Sequence, residues 1–131
     1  MMTASWFSWR GPGRIGISLG TPRGIPGGYR LFRPLNPTRG MLRLPPEEFE
    51  PLYAAILAKL DPQATWDELH RLAGGAEPVL LCFESLPFTE GNFCHRRRVA
   101  DWYMRELGEE VPEYDPGGIG EVVSEHDCLD R

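Results

Sequence analysis

Cys94, His95 and Arg96 stand side by side in the run Asn92-Phe93-Cys94-His95-Arg96-Arg97-Arg98, immediately ahead of an amphipathic stretch. A thiol, an imidazole and a guanidinium together supply a nucleophile, a proton acceptor and an anion clamp. The spacing predicts a helix opening at Asn92, a residue that caps helix starts by accepting a backbone N–H. Its first turn then carries three arginines at the end of the helix dipole that favours anions. A bound anion would compensate, and the free N–H groups of a helix N-terminus suit one. Cationic neighbours also lower a thiol from its usual ~8.5. Cys94 is therefore the candidate nucleophile, with His95 as its general base.

A second set lies early in the chain. Ser18, Thr21 and Arg23 follow an apolar stretch and are interleaved with Gly20 and Gly24. Backbone N–H groups, hydroxyls and one arginine in such a loop can hold an anion. No Gly-Lys-Ser/Thr follows, and no Gly-x-Gly-x-x-Gly is present, so neither nucleotide fingerprint applies. Arg96 lies four residues before Ala100 and shares its inward helix face, while Arg97 and Arg98 project to other sides. A buried guanidinium needs a carboxylate or a ligand anion. Glu84, ending an apolar run, is the expected internal partner, and it can hold Arg96 in place for a phosphate or carboxylate. Cys82, inside that run, reads as a core residue. Cys82, Cys94, His95, His126 and Cys128 are zinc-type ligands, but no Cys-x-x-Cys pair occurs, so neither metal nor cofactor is expected. Trp6, Phe7, Trp9, Tyr29 and Phe32 alternate with arginines and suit either a core or base stacking.

The elements that position these groups are legible in the pattern. Short strands are expected over Ala4–Trp9 and Ile15–Leu19, followed by a long Gly/Pro loop. Pro45-Pro46-Glu47-Glu48 opens a helix, and Phe49, Leu52, Tyr53, Ile56, Leu57 and Leu60 give it one apolar face. A second helix spans Pro62 to Ala73 and stops at Gly74-Gly75. Val79–Phe83 is a continuous apolar run, as in a strand covered on both faces. The last helix extends to Leu107 and ends at Gly108. The expected fold is α/β: a small three-layer domain with a short, mainly parallel sheet, about three helices and a loop-rich N-terminal part. In parallel sheets ligands gather beyond the carboxyl ends of the strands. Both candidate loops leave strands there and are expected to converge on one pocket.

The chain has 131 residues, which suits one domain over residues 1–115 and an acidic tail over 116–131. Residues 109–131 hold eight acids and are expected to pack loosely or be partly disordered. Residues 1–46 contain seven arginines and no acid, whereas all 19 acids lie from Glu47 onward. Such asymmetry indicates either a polyanionic partner or pairing between the two parts. No signal peptide and no membrane-length apolar run is visible, and three widely spaced cysteines fit a reducing cytoplasm.

The stretch Leu80-Leu81-Cys82-Phe83-Glu84, followed by Phe93-Cys94-His95-Arg96-Arg97-Arg98-Val99-Ala100, resembles the signature of a bacterial and phage family, domain of unknown function 488. Members show an apolar strand ending in Cys-x-Glu, then Cys-His-Arg opening a helix. Ile17-Ser18-Leu19-Gly20-Thr21-Pro22-Arg23 is similar to that family's early serine-to-proline segment, although Leu19-Gly20 stand where a basic residue is usual. The resemblance covers roughly residues 3–114. It implies a compact α/β domain with Cys94, His95 and Arg96 at its functional end, and no established activity. The leading expectation is a phosphate-bearing ligand, a nucleotide or nucleic acid, bound by Arg96 and Arg23 at the helix N-terminus. The alternatives are an enzyme with Cys94 as nucleophile, and a structural protein in which Glu84 and Arg96 pin a loop.

Overall fold

The computed structural model describes residues 1–84 and 95–116, and the backbone of residues 122 and 123. Six strands form one sheet: β1 (Met2–Ser5), β2 (Arg14–Gly16), β3 (Arg30–Leu31), β4 (Val79–Cys82), β5 (Glu113–Tyr114) and β6 (Val122–Val123). Their order is β3-β2-β4-β1-β5-β6. The first five run parallel, and β6 is antiparallel to β5. Three helices accompany them: α1 (Pro46–Ala58), α2 (Pro62–Ala73) and α3 (His95–Leu107). The fold is thus the α/β domain with a mainly parallel sheet that the sequence indicates.

Local chemistry sets the helix ends. Pro46 begins α1 with Glu47 and Glu48 in its first turn, on the favoured end of the dipole. The carboxylate of Asp61 caps α2 by accepting the Ala64 N–H at 3.0 Å. Gly74 ends α2 in the left-handed region at φ 64°, and Gly108 follows α3 at φ 68°.

Side chains alternate between the two sheet faces. Ile15, Ile17 and Leu80 face the helices and join Phe49, Tyr53, Leu57, Leu69, Val99 and Tyr103 in the main core. Ala4, Trp6, Val79 and Leu81 face the other way, under Trp9, Ile25 and Tyr29. The third layer is therefore a cover of aromatic loops. The same parity places Thr3, Ser5 and Cys82 on the helix side, while the Ser18 hydroxyl meets Trp6 on the loop side.

Three local expectations are corrected. β1 ends at Ser5 rather than Trp9, because the Ser5 carbonyl accepts the N–H groups of Ser8 and Trp9 and turns the chain. The early loop contains an edge strand, β3, and two 3-10 turns at Arg33–Leu35 and Arg39–Arg43. The segment after Gly108 is no loose tail at its start. Val111 and Glu113 are fully buried, and the Thr3 N–H donates to the Pro112 carbonyl. No helix among the described residues is long and apolar enough to cross a membrane.

Candidate functional site

The polar groups of the core gather on the helix side of the sheet, at the carboxyl ends of β1, β2 and β4. Strand register aligns Ser5 with Cys82 and Gly16 with Leu81, so these ends form one rim. The chain leaves β2 toward β3 on one side and leaves β4 through α3 toward β5 on the other. Connections diverging from neighbouring strands open a crevice at their carboxyl ends. The first turn of α3 enters there.

His95 closes the crevice. Its Nε2 lies 2.9 Å from the Ile17 carbonyl oxygen. A carbonyl only accepts, so Nε2 carries the proton and Nδ1 keeps its lone pair. Burial holds the imidazole below its ordinary pKa, opposed by the bond to Ile17 and the charge of Glu84. The ring is neutral at pH 7 and packs edge-on against Tyr53. One ligand atom each from Cys82, Glu84 and His95 lies within 4.8 Å of the others. Burial pushes the Cys82 thiol up to about 12, with Arg96 lowering it and the neighbouring Glu84 adding to the rise. One oxygen of Glu84, Oε1, is buried and has no hydrogen-bond partner among the described residues.

Arg96 is wholly buried. Its Nε and Nη2 donate to the two carboxylate oxygens of Glu113, at 2.9 and 2.7 Å. Its Nη1 donates to Cys82 Sγ at 2.8 Å. The carboxylate paired with Arg96 is therefore Glu113, where Glu84 was expected. β5 lies beside β1 and turns Glu113 toward the helix, so a two-pronged, fully desolvated pair forms there. Thr3 Oγ1 donates to Glu113 at 2.6 Å and accepts from Arg97 Nη1 at 2.9 Å. Arg97, expected to point elsewhere, is also fully buried and reaches the Val111 carbonyl at 2.7 Å. Arg98 is the one of the three on the surface side, paired with Glu50 and Asp101.

The early loop meets this cluster only through the Ile17 carbonyl. Ser18 is on the opposite face, where its hydroxyl accepts from Trp6 Nε1 at 2.9 Å and donates to Gly20 O at 2.6 Å. Arg23 is exposed, Thr21 is half-buried, and neither hydrogen-bonds to a described residue of the cluster. The expected convergence of Ser18, Thr21 and Arg23 with Arg96 thus does not form, because strand parity sends Ile17 and Ser18 to different sides. Arg96 is engaged with Glu113 and Cys82 and is no open anion clamp. Cys94, Asn92, His126 and Cys128 lie outside the described residues. Glu113, Thr3 and Arg97 escape a sequence reading. Only the alternation of β1 hints at Thr3.

The His95 environment has a measurable consequence. Its folded pKa lies below the unfolded value of about 6.5, so the unfolded chain binds the extra proton first. Stability should be fully present above about pH 6.5 and fall as pH drops below it. Urea titrations between pH 5 and 8, in buffer with a chelator, measure this. His95→Gln should flatten the slope in that window, and an unchanged slope would refute the assignment.

No protein-family model, curated protein or solved structure matches the chain.

Proposed function

We propose that the protein binds nucleic acid through an arginine-rich surface at the β3 side of the sheet. One observation carries this reading. Arg10, Arg23, Arg30, Arg33, Arg39 and Arg43 are all exposed. None of their side chains makes an ion pair or hydrogen bond with another described residue. The ion pairs among the described residues use Met1, Arg71, Arg96 and Arg98 instead. Among the described residues, pairing between the arginine-rich and acidic parts, the other explanation of the charge asymmetry, does not involve these six side chains.

Six exposed cations within 34 positions, without an acidic partner among the described residues, repel one another, and a polyanion relieves that. Arg30 sits on the edge strand, Arg33, Arg39 and Arg43 follow it in the 3-10 turns, and exposed Leu31 and Leu42 lie between them. Charges spread along an edge suit a phosphate backbone better than a single nucleotide. The seventh arginine, Arg14, braces this surface. It donates to the carbonyls of Pro26 and Gly27 and lies over the Tyr29 ring at 5.8 Å. The phosphate-bearing ligand expected from the sequence is therefore reassigned from the α3 N-terminus to this surface.

Anisotropy titrations with a fluorescent duplex at several salt concentrations test the reading. Six phosphate contacts weaken binding about 10³-fold between 50 and 200 mM salt. Changing Arg30, Arg33, Arg39 and Arg43 together to glutamine should reduce the salt slope by about 4. No binding at 50 mM salt, or a slope unmoved by these changes, refutes the proposal. A shallow slope with a mononucleotide binding equally well would point to a small ligand instead.

A further inference from the structure

We propose that Cys82, Glu84 and His95 form a binding site for one divalent transition-metal ion of the zinc class. The inference is independent of the arginine surface. It starts from strand periodicity. Cys82 is the last residue of β4 and faces the helix side, and Glu84 follows two residues on, just past the strand. The first residue of α3 then brings His95 over them. The three donor atoms, a sulfur, a carboxylate oxygen and an imidazole nitrogen, lie within 4.8 Å of one another. One tetrahedral ion with ligands at about 2.0–2.3 Å holds its donors roughly 3.3–3.8 Å apart, so the set closes on an ion by side-chain rotations of about an ångström.

The second observation is independent of this proximity. Glu84 Oε1 is buried with no hydrogen-bond partner among the described residues. A desolvated carboxylate oxygen without a donor is costly, and a cation is the partner it lacks. An anionic ligand at this spot would meet the Glu84 charge and gain nothing from it.

The surrounding groups suit the metal. The Ile17 carbonyl holds His95 Nε2–H, fixing the tautomer that presents Nδ1 as a ligand. Arg96, its charge already met by Glu113, donates to Cys82 Sγ and supports a thiolate there. A thiolate, a carboxylate and a neutral imidazole together carry two negative charges, matching a divalent ion. A mixed sulfur, nitrogen and oxygen set is of the zinc type. Binding replaces the S–H bond of Cys82 with an S–metal bond, and the proton leaves to solvent. Three ligands among the described residues leave a fourth tetrahedral position for water, substrate or a further ligand. Cys82 and His95 are buried and Glu84 is half-buried.

Chelator-treated full-length protein titrated with Co²⁺ and Zn²⁺ provides the test. The expected result is one ion per chain, a near-ultraviolet thiolate-to-cobalt charge-transfer band, and one proton released per ion. Cys82→Ser should abolish the band. Glu84→Gln should weaken Zn²⁺ by more than the 10–100-fold typical of an outer-shell partner. If Cys82→Ser does not fold, as judged by circular dichroism, Glu84→Gln and His95→Gln carry the test. No binding, or binding unchanged in the variants that fold, overturns the proposal.

Discussion

A Glu113→Gln protein is expected to unfold about 10–20 °C below the wild type in thermal melts. Glu113 and Arg96 form a two-pronged ion pair with side-chain exposures of 1% and 0%. Removing one partner leaves the other charge desolvated and unmatched, which costs about 3–5 kcal/mol. Domains of this kind hold only about 5–15 kcal/mol in total. The loss spreads along a chain of bonds, because Thr3 joins Glu113 to Arg97, and Arg96 joins Glu113 to Cys82. Those contacts tie β5, β1 and β4 to the first turn of α3. A Glu113→Leu/Arg96→Met double variant should melt above Glu113→Leu alone, since hydrocarbon replaces both charges at once. A Glu113→Gln melt within about 2 °C of wild type would show that the pair contributes little to stability.

The second large effect lies on the opposite face. Trp6→Ala is expected to cost about 3–5 kcal/mol in urea unfolding. Trp6 is 1% exposed and forms the centre of the aromatic layer. Its ring meets Tyr29 edge-on at a centroid distance of 5.1 Å, and its Nε1 donates to Ser18. It lies so close over β2 that a Cβ added at Gly16 would sit 2.4 Å from Trp6 Cζ2. Truncation opens a large cavity and leaves the Ser18 hydroxyl without its donor. Trp6→Phe should lose less, because it keeps most of the ring volume. Equal losses in the two variants would locate the effect in the hydrogen bond, not in packing. No helix among the described residues covers this face, and the large rings of Trp6, Trp9 and Tyr29 exclude water from the sheet there.

The two functional proposals divide the molecule between them. The arginine surface lies at the β3 edge, and the Cys82–Glu84–His95 cluster lies inside the crevice under α3. Failure of nucleic-acid binding would leave the metal site standing, and the reverse also holds. Cys82, Glu84, His95 and Arg96 meet in space, whereas Ser18 bonds to Trp6 on the opposite face.

Much of the architecture was legible because its causes are local. Pro46 with Glu47 and Glu48, the Asp61 cap, and Gly74 and Gly108 act within one turn of the chain, so they mark helix ends from sequence alone. The apolar run of β4 likewise announces a strand with both faces covered. The short strands β3 and β5 carry no such signal, since two residues show no periodicity. Their pairing comes from neighbours distant in sequence.

Residue types alone determined that Arg96 would turn inward and need an anion, and that Cys82, Glu84 and His95 would sit at the carboxyl end of a strand and the start of a helix. Tertiary structure decided which anion. Any of 19 acids could neutralise Arg96 by charge, but only the pairing of β5 with β1 delivers Glu113 to it. Tertiary structure also decided sidedness. Ile17 and Ser18 are adjacent in the chain, yet the pleat sends one toward the helices and the other toward Trp6. That single step of parity separates the early loop's hydroxyl from the cluster. Desolvation makes a buried charge demand a partner, and long-range strand register selects which partner arrives.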